Sequence, residues 1–339
     1  MGLSLMGKAE ITPLRLAFLG TGWIGRNRMQ ALISSGLAEA VAIADPSEKM
    51  REEAIVLAPE AAAVETVDEL LAFEPDGVVI ATPSAMHAAQ AIEVLQRGIP
   101  VFCQKPLGRN AAEVAAVLAA ARSAARLIGV DFSYRKTRGI GIIHDILRSG
   151  ELGEIFAVDL QFHNAYGPDK DWFYDRSQSG GGCVMDLGVH LVDLALWMLD
   201  CKSITQVHSA LYSAGQLLAP GASQVEDYAL AELRTGGGQV VRLACSWKAH
   251  AGCDAVIRVD FQGTQGGVTF SNIGGSFYDF EAHRHRSTAT EPLAGPPEDW
   301  GGKAAIAWAR QLLDNVAYDD EADRILLVAQ VLDRIYLGQ

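Results

Sequence analysis

The 339-residue sequence is short of several things, and each shortage closes off a class of protein. Cysteine is scarce. The five residues, Cys103, Cys183, Cys201, Cys245 and Cys253, form no CxxC pair, and their odd number supports no disulfide framework. Reduced thiols and a cytoplasmic setting are the expectation. No His/Cys pair with ligand spacing lies near a second such pair, so no metal site is expected. Basic residues are in the minority: 28 Lys and Arg against 41 Asp and Glu leave a net charge of −13. Nucleic acid and anionic membrane both need a basic surface, so neither is an expected partner. No apolar stretch reads as a membrane span, a length of about 18 residues. Residues 1–14 hold neither a signal-peptide apolar run nor a twin arginine. Internal repeats and low-complexity segments are also missing.

What is present is a sequence 49% hydrophobic and 20% charged, with enough apolar material for a large core and enough length for two domains. Its sharpest local signal lies near the start. Leu16 to Leu19 is an apolar run, Gly20, Gly22 and Gly25 follow in GxGxxG spacing around Trp23 and Ile24, and Asn27 to Ile33 reads as a helix. Strand, glycine turn and helix in that order form the context in which this spacing binds a dinucleotide. Gly20 permits the tight turn, Gly22 lets backbone approach a pyrophosphate, and Gly25 lets helix pack close to strand. Ala38 to Ala44 reads as the next strand, and Asp45 follows it. A carboxylate there accepts hydrogen bonds from ribose hydroxyls and repels a 2′-phosphate, which favours NAD over NADP. Asp45 also reads as a plain turn cap, with Pro46 opening a helix over 47–57.

Apolar strands then alternate with helices: a short helix from Val67, strand Gly77–Ala81, helix His87–Gln96, strand Ile99–Cys103, helix Ala111–Ala125 and strand Leu127–Asp131. That rhythm is a doubly wound parallel sheet, an α/β domain over residues 14–131 after a disordered leader over 1–13. Ligands of such sheets bind beyond the carboxyl ends of the strands. Gly20, Asp45, Thr82, Pro83 and Lys105 all fall there. From residue 132 to 339 the pattern becomes α+β. Its strands are mostly antiparallel, from Ile155 to Glu281, with helices over 139–148, 184–199, 303–315 and 320–336. Residues 284–297 read as an exposed loop.

Two further places carry chemistry. Lys105 ends a strand and precedes Pro106, which restricts its backbone to extended geometry. At the mouth of a dinucleotide crevice it would polarise a substrate oxygen; elsewhere it is a solvated lysine. Asp186 and His190 stand four residues apart in an otherwise apolar helix, on one face. The histidine suits a general base; on the pair alone, a satisfied core histidine beside a capping aspartate is the stronger reading. His87 either touches the cofactor or caps its helix. His163, Asn164, Tyr166 and Trp172 to Tyr174 resemble either a sugar-site lining or ordinary packing. Asp193 reads as structural.

Taken together, the GxGxxG start, Lys105–Pro106 after a strand, Ala81 to His87, and the Gly180–Gly182 run leading to Asp186 and His190 resemble the glucose–fructose oxidoreductase / inositol dehydrogenase / MocA family over nearly the whole chain. The resemblance implies a Rossmann domain followed by a C-terminal α+β domain with a large open, mostly antiparallel sheet, through which chains pair into dimers or tetramers. It implies Lys105, Asp186 and His190 as the catalytic set. Gly20, Gly22, Trp23, Ile24, Gly25, Asp45, Thr82, Pro83, His87 and Lys105 would hold NAD. Tyr134, Arg135, Asn164 and Trp172, with Lys105, Asp186 and His190, would hold a polyol or sugar. The implied activity is hydride transfer between NAD and a secondary alcohol carbon of a sugar or cyclitol. An NAD-dependent glycosidase and a non-catalytic sensor on the same fold are the other possibilities. In that family glutamate usually precedes the lysine; Gln104 stands here, so the lysine charge would be held less firmly.

Overall fold

The chain begins with a strand buried on both faces. Leu16 and Phe18 of β1 (Leu14–Leu19) point to one side, Ala17 and Leu19 to the other, and all four are buried. This is what the middle of a parallel sheet requires. β2 (Ala38–Ala44), β3 (Ala62–Val64), β4 (Gly77–Ile80), β5 (Val101–Cys103) and β6 (Ile128–Val130) join it in the order β3-β2-β1-β4-β5-β6, every pair parallel. The order reverses between β1 and β4, which opens a crevice at their carboxyl ends. The connecting helices are α1 (Trp23–Ser34), α2 (Glu48–Ile55), α3 (Val67–Leu71), α4 (Ser84–Gln96) and α5 (Ala111–Ala124). The computed structural model describes residues 12–298 and 300–338; the expected leader therefore lies almost wholly outside the described residues.

The second half is built on a nine-stranded sheet, ordered β15-β14-β13-β12-β7-β11-β10-β8-β9. Its strands are β7 (Ile155–Asn164), β8 (Ile204–Ser213), β9 (Gln216–Leu217), β10 (Tyr228–Thr235), β11 (Val240–Ser246), β12 (Ala255–Gly263), β13 (Gly267–Asn272), β14 (Phe280–Arg286) and β15 (Ala289–Ala294). Only the β7–β11 pair is parallel among the described residues. Its helices are α6 (Arg138–Ser149), α7 (Arg176–Ser179), α8 (Val189–Met198), α9 (Lys303–Asp314) and α10 (Arg324–Leu337). Residues 284–297 are not a loop: β14 and β15 form an antiparallel edge hairpin there. The polar, proline-containing β15 hid the strand because an exposed edge has no apolar face to show. The helical run Arg176–Met198 is long and apolar enough to span a membrane, contrary to expectation, but 89% of its 18-residue apolar window is buried in the fold.

One side of the large sheet carries the core; the other is open. Along β10, Ala229, Ala231 and Leu233 are buried while Tyr228 and Leu230 are exposed, and Phe156 of β7 is 55% exposed on its own strand. The two halves are also stitched. α9, far along the chain, returns to the first sheet and lays Trp308 against Phe18 and Phe102 in one apolar cluster. A Cβ at Gly77 or Gly129 would come within 2.7 Å of that indole, so both positions must be glycine. The expected boundary at 131/132 thus separates the strands but not the core.

Candidate active site

The first turn of α1 explains its glycines one by one. A Cβ on Gly25 would lie 2.1 Å from the Gly20 carbonyl oxygen, and one on Gly20 would strike the Ala81–Thr82 backbone at 2.7 Å. Gly20 also has φ +84°, where side chains are strained. Gly22 differs: its Cβ would meet nothing within 4 Å. It faces a cleft of about 820 Å3 lined by Gly20, Gly22, Trp23, Ile24, Asp45, Thr82, Pro83, His87 and Lys105. No side chain caps α1, and no acidic residue sits in its first turn. Uncapped N–H groups above an open cradle are the arrangement a pyrophosphate fits.

At the far end of the cleft Asp45 and Glu65 present two carboxylates. Asp45 lines the cleft and also braces the turns on either side of it. Its Oδ2 accepts from the Thr21 amide (2.8 Å), its Oδ1 from the Ser47 amide (2.9 Å), and the side-chain cap of α2 is Ser47. His87 is a bracket: its ring nitrogens lie 2.7 Å from the Thr82 and Pro106 carbonyl oxygens, tying the end of β4 to the cis Lys105–Pro106 turn. Burial, more than any other influence, holds its pKa below the usual histidine value.

At the other end the reaction groups converge. Lys105 Nζ donates to Asp186 Oδ1 and to the Asp186 carbonyl, both at 2.8 Å. An ammonium has three N–H groups, so one is left for the cleft. Asp186 does not lie in a regular α-helix. Val184–Gly188 is a π-helical turn running into α8, so the simple four-residue spacing no longer sets the faces. Asp186 Oδ2 accepts from the Trp247 indole at 3.0 Å, and no hydrogen bond to His190 is found among the described residues. His190 instead meets the Tyr134 ring edge-on at 5.0 Å. Burial first, then the charges of Lys105 and Arg28, push its pKa well below 6.5. At neutral pH it is an uncharged imidazole with no hydrogen-bond partner among the described residues, lining the cleft.

The π turn is anchored from beneath. Glu226, buried, accepts from the amides of Gly182 and Val184 and from Tyr336. A Cβ on Gly182 would lie 1.9 Å from the Glu226 carbonyl, and one on Gly181 1.9 Å from the Tyr336 hydroxyl. The glycine run is therefore a packing requirement.

Tyr134 and Trp172 line the cleft as expected, but two expected substrate residues do not. Arg135 points away, paired with buried Asp193 and lying over the rings of Phe132 and Trp197. Asn164 ends β7 outside the cleft, its carbonyl accepting from Ala249. Both are polar residues near the right segments, held elsewhere by their own partners. Trp300, stacked on Tyr134 at 5.2 Å, also lines the cleft.

Arg28 was also missed. It falls on the buried stripe of α1 with Gly25, Met29 and Leu32, where a charge needs a partner. Its Nε donates to buried Asp131 at 2.5 Å, and the Gln104 amide donates to the same oxygen. Gln104 thus serves Asp131, and no contact with Lys105 is found among the described residues. A glutamate at 104 would set two buried carboxylates side by side.

Residues 14–132 match the family model described as an oxidoreductase family with an NAD-binding Rossmann fold, and residues 142–269 match the GFO/IDH/MocA C-terminal domain. A protein assigned as the oxidoreductase subunit of UDP-kanosamine synthase in Amycolatopsis mediterranei is 33% identical over 73% of this chain and 72% of its own length. The chain belongs to the GFO/IDH/MocA family. It is an oxidoreductase whose N-terminal domain is the NAD-binding one. The inositol 2-dehydrogenase of Rhodococcus erythropolis is 32% identical over 67% of this chain and 64% of that protein. GenD2 from gentamicin A biosynthesis, solved in complex with NAD, is 25% identical with a TM-score of 0.79, covering 99% of this chain and 96% of its own.

Proposed function

We propose that this family member moves a hydride between NAD and a secondary alcohol carbon of a sugar, sugar derivative or cyclitol. The observation that carries the reading is the convergence of a lysine with one unused N–H and an uncharged, unbonded histidine on the cleft that opens from Gly22. The residues fit NAD: the α1 amides would hold the pyrophosphate, and Asp45, with Glu65 beside it on the cleft lining, would meet the ribose and repel a 2′-phosphate. When bound, NAD supplies the hydride acceptor. The substrate hydroxyl proton goes to a ring nitrogen of His190, and the Lys105 ammonium stabilises the oxygen as it becomes a carbonyl. Asp186 holds Lys105 in place and offers acceptor capacity to a neighbouring hydroxyl. Aromatic Tyr134, Trp172 and Trp300 supply apolar walls for a ring with polar edges. The names of relatives, inositol 2-dehydrogenase and D-glucoside 3-dehydrogenase, support that substrate class.

The test is a panel of inositols, pentoses, hexoses and glycosides with NAD, followed by NADH absorbance. A productive substrate is expected to show kcat/KM flat from neutral pH to below 6.5, because His190 stays unprotonated there, and falling only as pH drops through its depressed pKa. No turnover across the panel, or loss of rate already above pH 6.5, contradicts the proposal. We also propose pairing of two chains through the open face of the nine-stranded sheet, whose exposed Leu230 lies beside Arg242 and Glu232 over a shallow concavity.

A further inference from the structure

Trp247 follows β11 directly, and its backbone N–H donates to Asp227 at 2.8 Å, so its position is fixed by the sheet. Its side chain is only 2% exposed and reaches in two directions. On one side its Nε1–H donates to Asp186 Oδ2 at 3.0 Å. Lys105 occupies Oδ1, so the carboxylate has one donor on each oxygen and its plane is set. A single donor leaves a carboxylate free to turn about its last torsion, which is broad and two-fold. On the other side the indole meets Phe173 (ring centroids 6.3 Å, 86°) and Tyr174 (5.5 Å, 62°). Both belong to the 3-10 turn Asp171–Tyr174, whose Trp172 stacks on Phe173 at 3.8 Å and lines the cleft.

We infer that Trp247 is a positioning residue that joins the aromatic turn over the substrate end of the cleft to the Lys105–Asp186 pair. It rests on the reaction proposed above. Close-packed rings do not deform independently, so a substrate that seats Trp172 and Phe173 presses on the indole that orients Asp186. The turn and the carboxylate are then set together: a substrate that fails to engage the turn leaves Lys105 poorly aimed.

The experiment is a cycle of Trp247→Phe and Asp186→Ala, read by single-turnover NADH formation at high enzyme concentration so that slow variants stay measurable. Trp247→Phe keeps an aromatic ring but removes the N–H together with part of the buried ring volume. The Asp186→Ala background separates the two, because lost volume acts in both backgrounds and the lost N–H only where its acceptor is present. Loss of one hydrogen bond to a charged group predicts a fall in rate of about 10- to 100-fold, with NAD affinity unchanged. In the Asp186→Ala background the same change is expected to cost less than about twofold, because its target is gone. Equal fractional losses in both backgrounds, or an undiminished rate in Trp247→Phe, overturn the inference. Phe173→Leu reads the loop side without touching Trp247: it should slow the wild type and leave Trp247→Phe nearly unchanged, and additive losses count against the coupling. Lys105→Ala and His190→Ala retaining turnover would instead sink the reaction on which this rests.

Discussion

The two ends of the cleft are built on opposite plans. The dinucleotide end is local and made of backbone. Gly20, Gly22 and Gly25 lie within six residues, and two of the three are dictated by contacts between main-chain atoms 2.1 to 2.7 Å from where a Cβ would stand. The reaction end is dispersed and made of side chains. Lys105, Asp186, His190 and Trp247 come from the end of β5, a π turn, α8 and the end of β11. Changing Gly20 or Gly25 at the first end damages the fold before it damages chemistry, while the second end can lose its chemistry with the fold intact. The reaction end depends on cores and caps placed elsewhere, such as Glu226 beneath the π turn.

The largest effect that would sharpen this contrast is at the reaction end. Lys105→Ala and His190→Ala are each expected to lower kcat by about 10²- to 10⁴-fold, the range for a positioned acid–base or charge-stabilising group. NAD binding, read by fluorescence titration, should survive in both; variants that lose NAD binding or unfold would show that the two ends are not separable. Next, the glycines divide the opposite end internally. Gly25→Ala is expected to prevent folding or lower Tm sharply, whereas Gly22→Ala should fold normally and weaken NAD binding by about tenfold or more, since only ligand fills the space its methyl enters. Similar Tm losses in both would break the distinction. The smallest effect is at Asp45. Asp45→Ala is expected to weaken NAD several-fold and raise tolerance of NADP, measured as the ratio of kcat/KM values. A moderate fall in Tm should accompany it, because the Thr21 and Ser47 amides lose their acceptor. An unchanged NAD/NADP ratio with the Tm loss would leave Asp45 as a cap alone.

The same contrast explains what could be read from the chain. The glycine turn, five of the six strands of the first sheet and the lysine before Pro106 were visible, because each is a short-range pattern with a backbone reason. The three-residue edge strand β3 was too short to show one, and the order of the strands came only with the fold. Asp186 and His190 were visible as residues, yet their relation was not. The π turn replaces the expected common helix face, and Asp186 turns to Lys105 and Trp247 instead of His190. Arg135 and Asn164 were drawn into the site by sequence proximity and are excluded by direction: one pairs with Asp193, the other ends a strand outside the cleft. Trp300 and Trp247 gave no local signal, since an aromatic residue after a strand or before a helix is ordinary packing until the fold shows what lies beside it.

By itself, then, the sequence determined a dinucleotide turn, a doubly wound sheet and the presence of a lysine, an aspartate and a histidine able to move a proton and a charge. The tertiary structure alone decided which of them touch. Gln104 illustrates the reason. Along the chain it is a neighbour of Lys105, but the end of β5 points its amide at buried Asp131, 27 residues away in sequence, the same carboxylate that pairs with Arg28. Side-chain direction at a strand end follows the twist and pairing of the whole sheet, and buried charges are placed by the partners the fold brings to them.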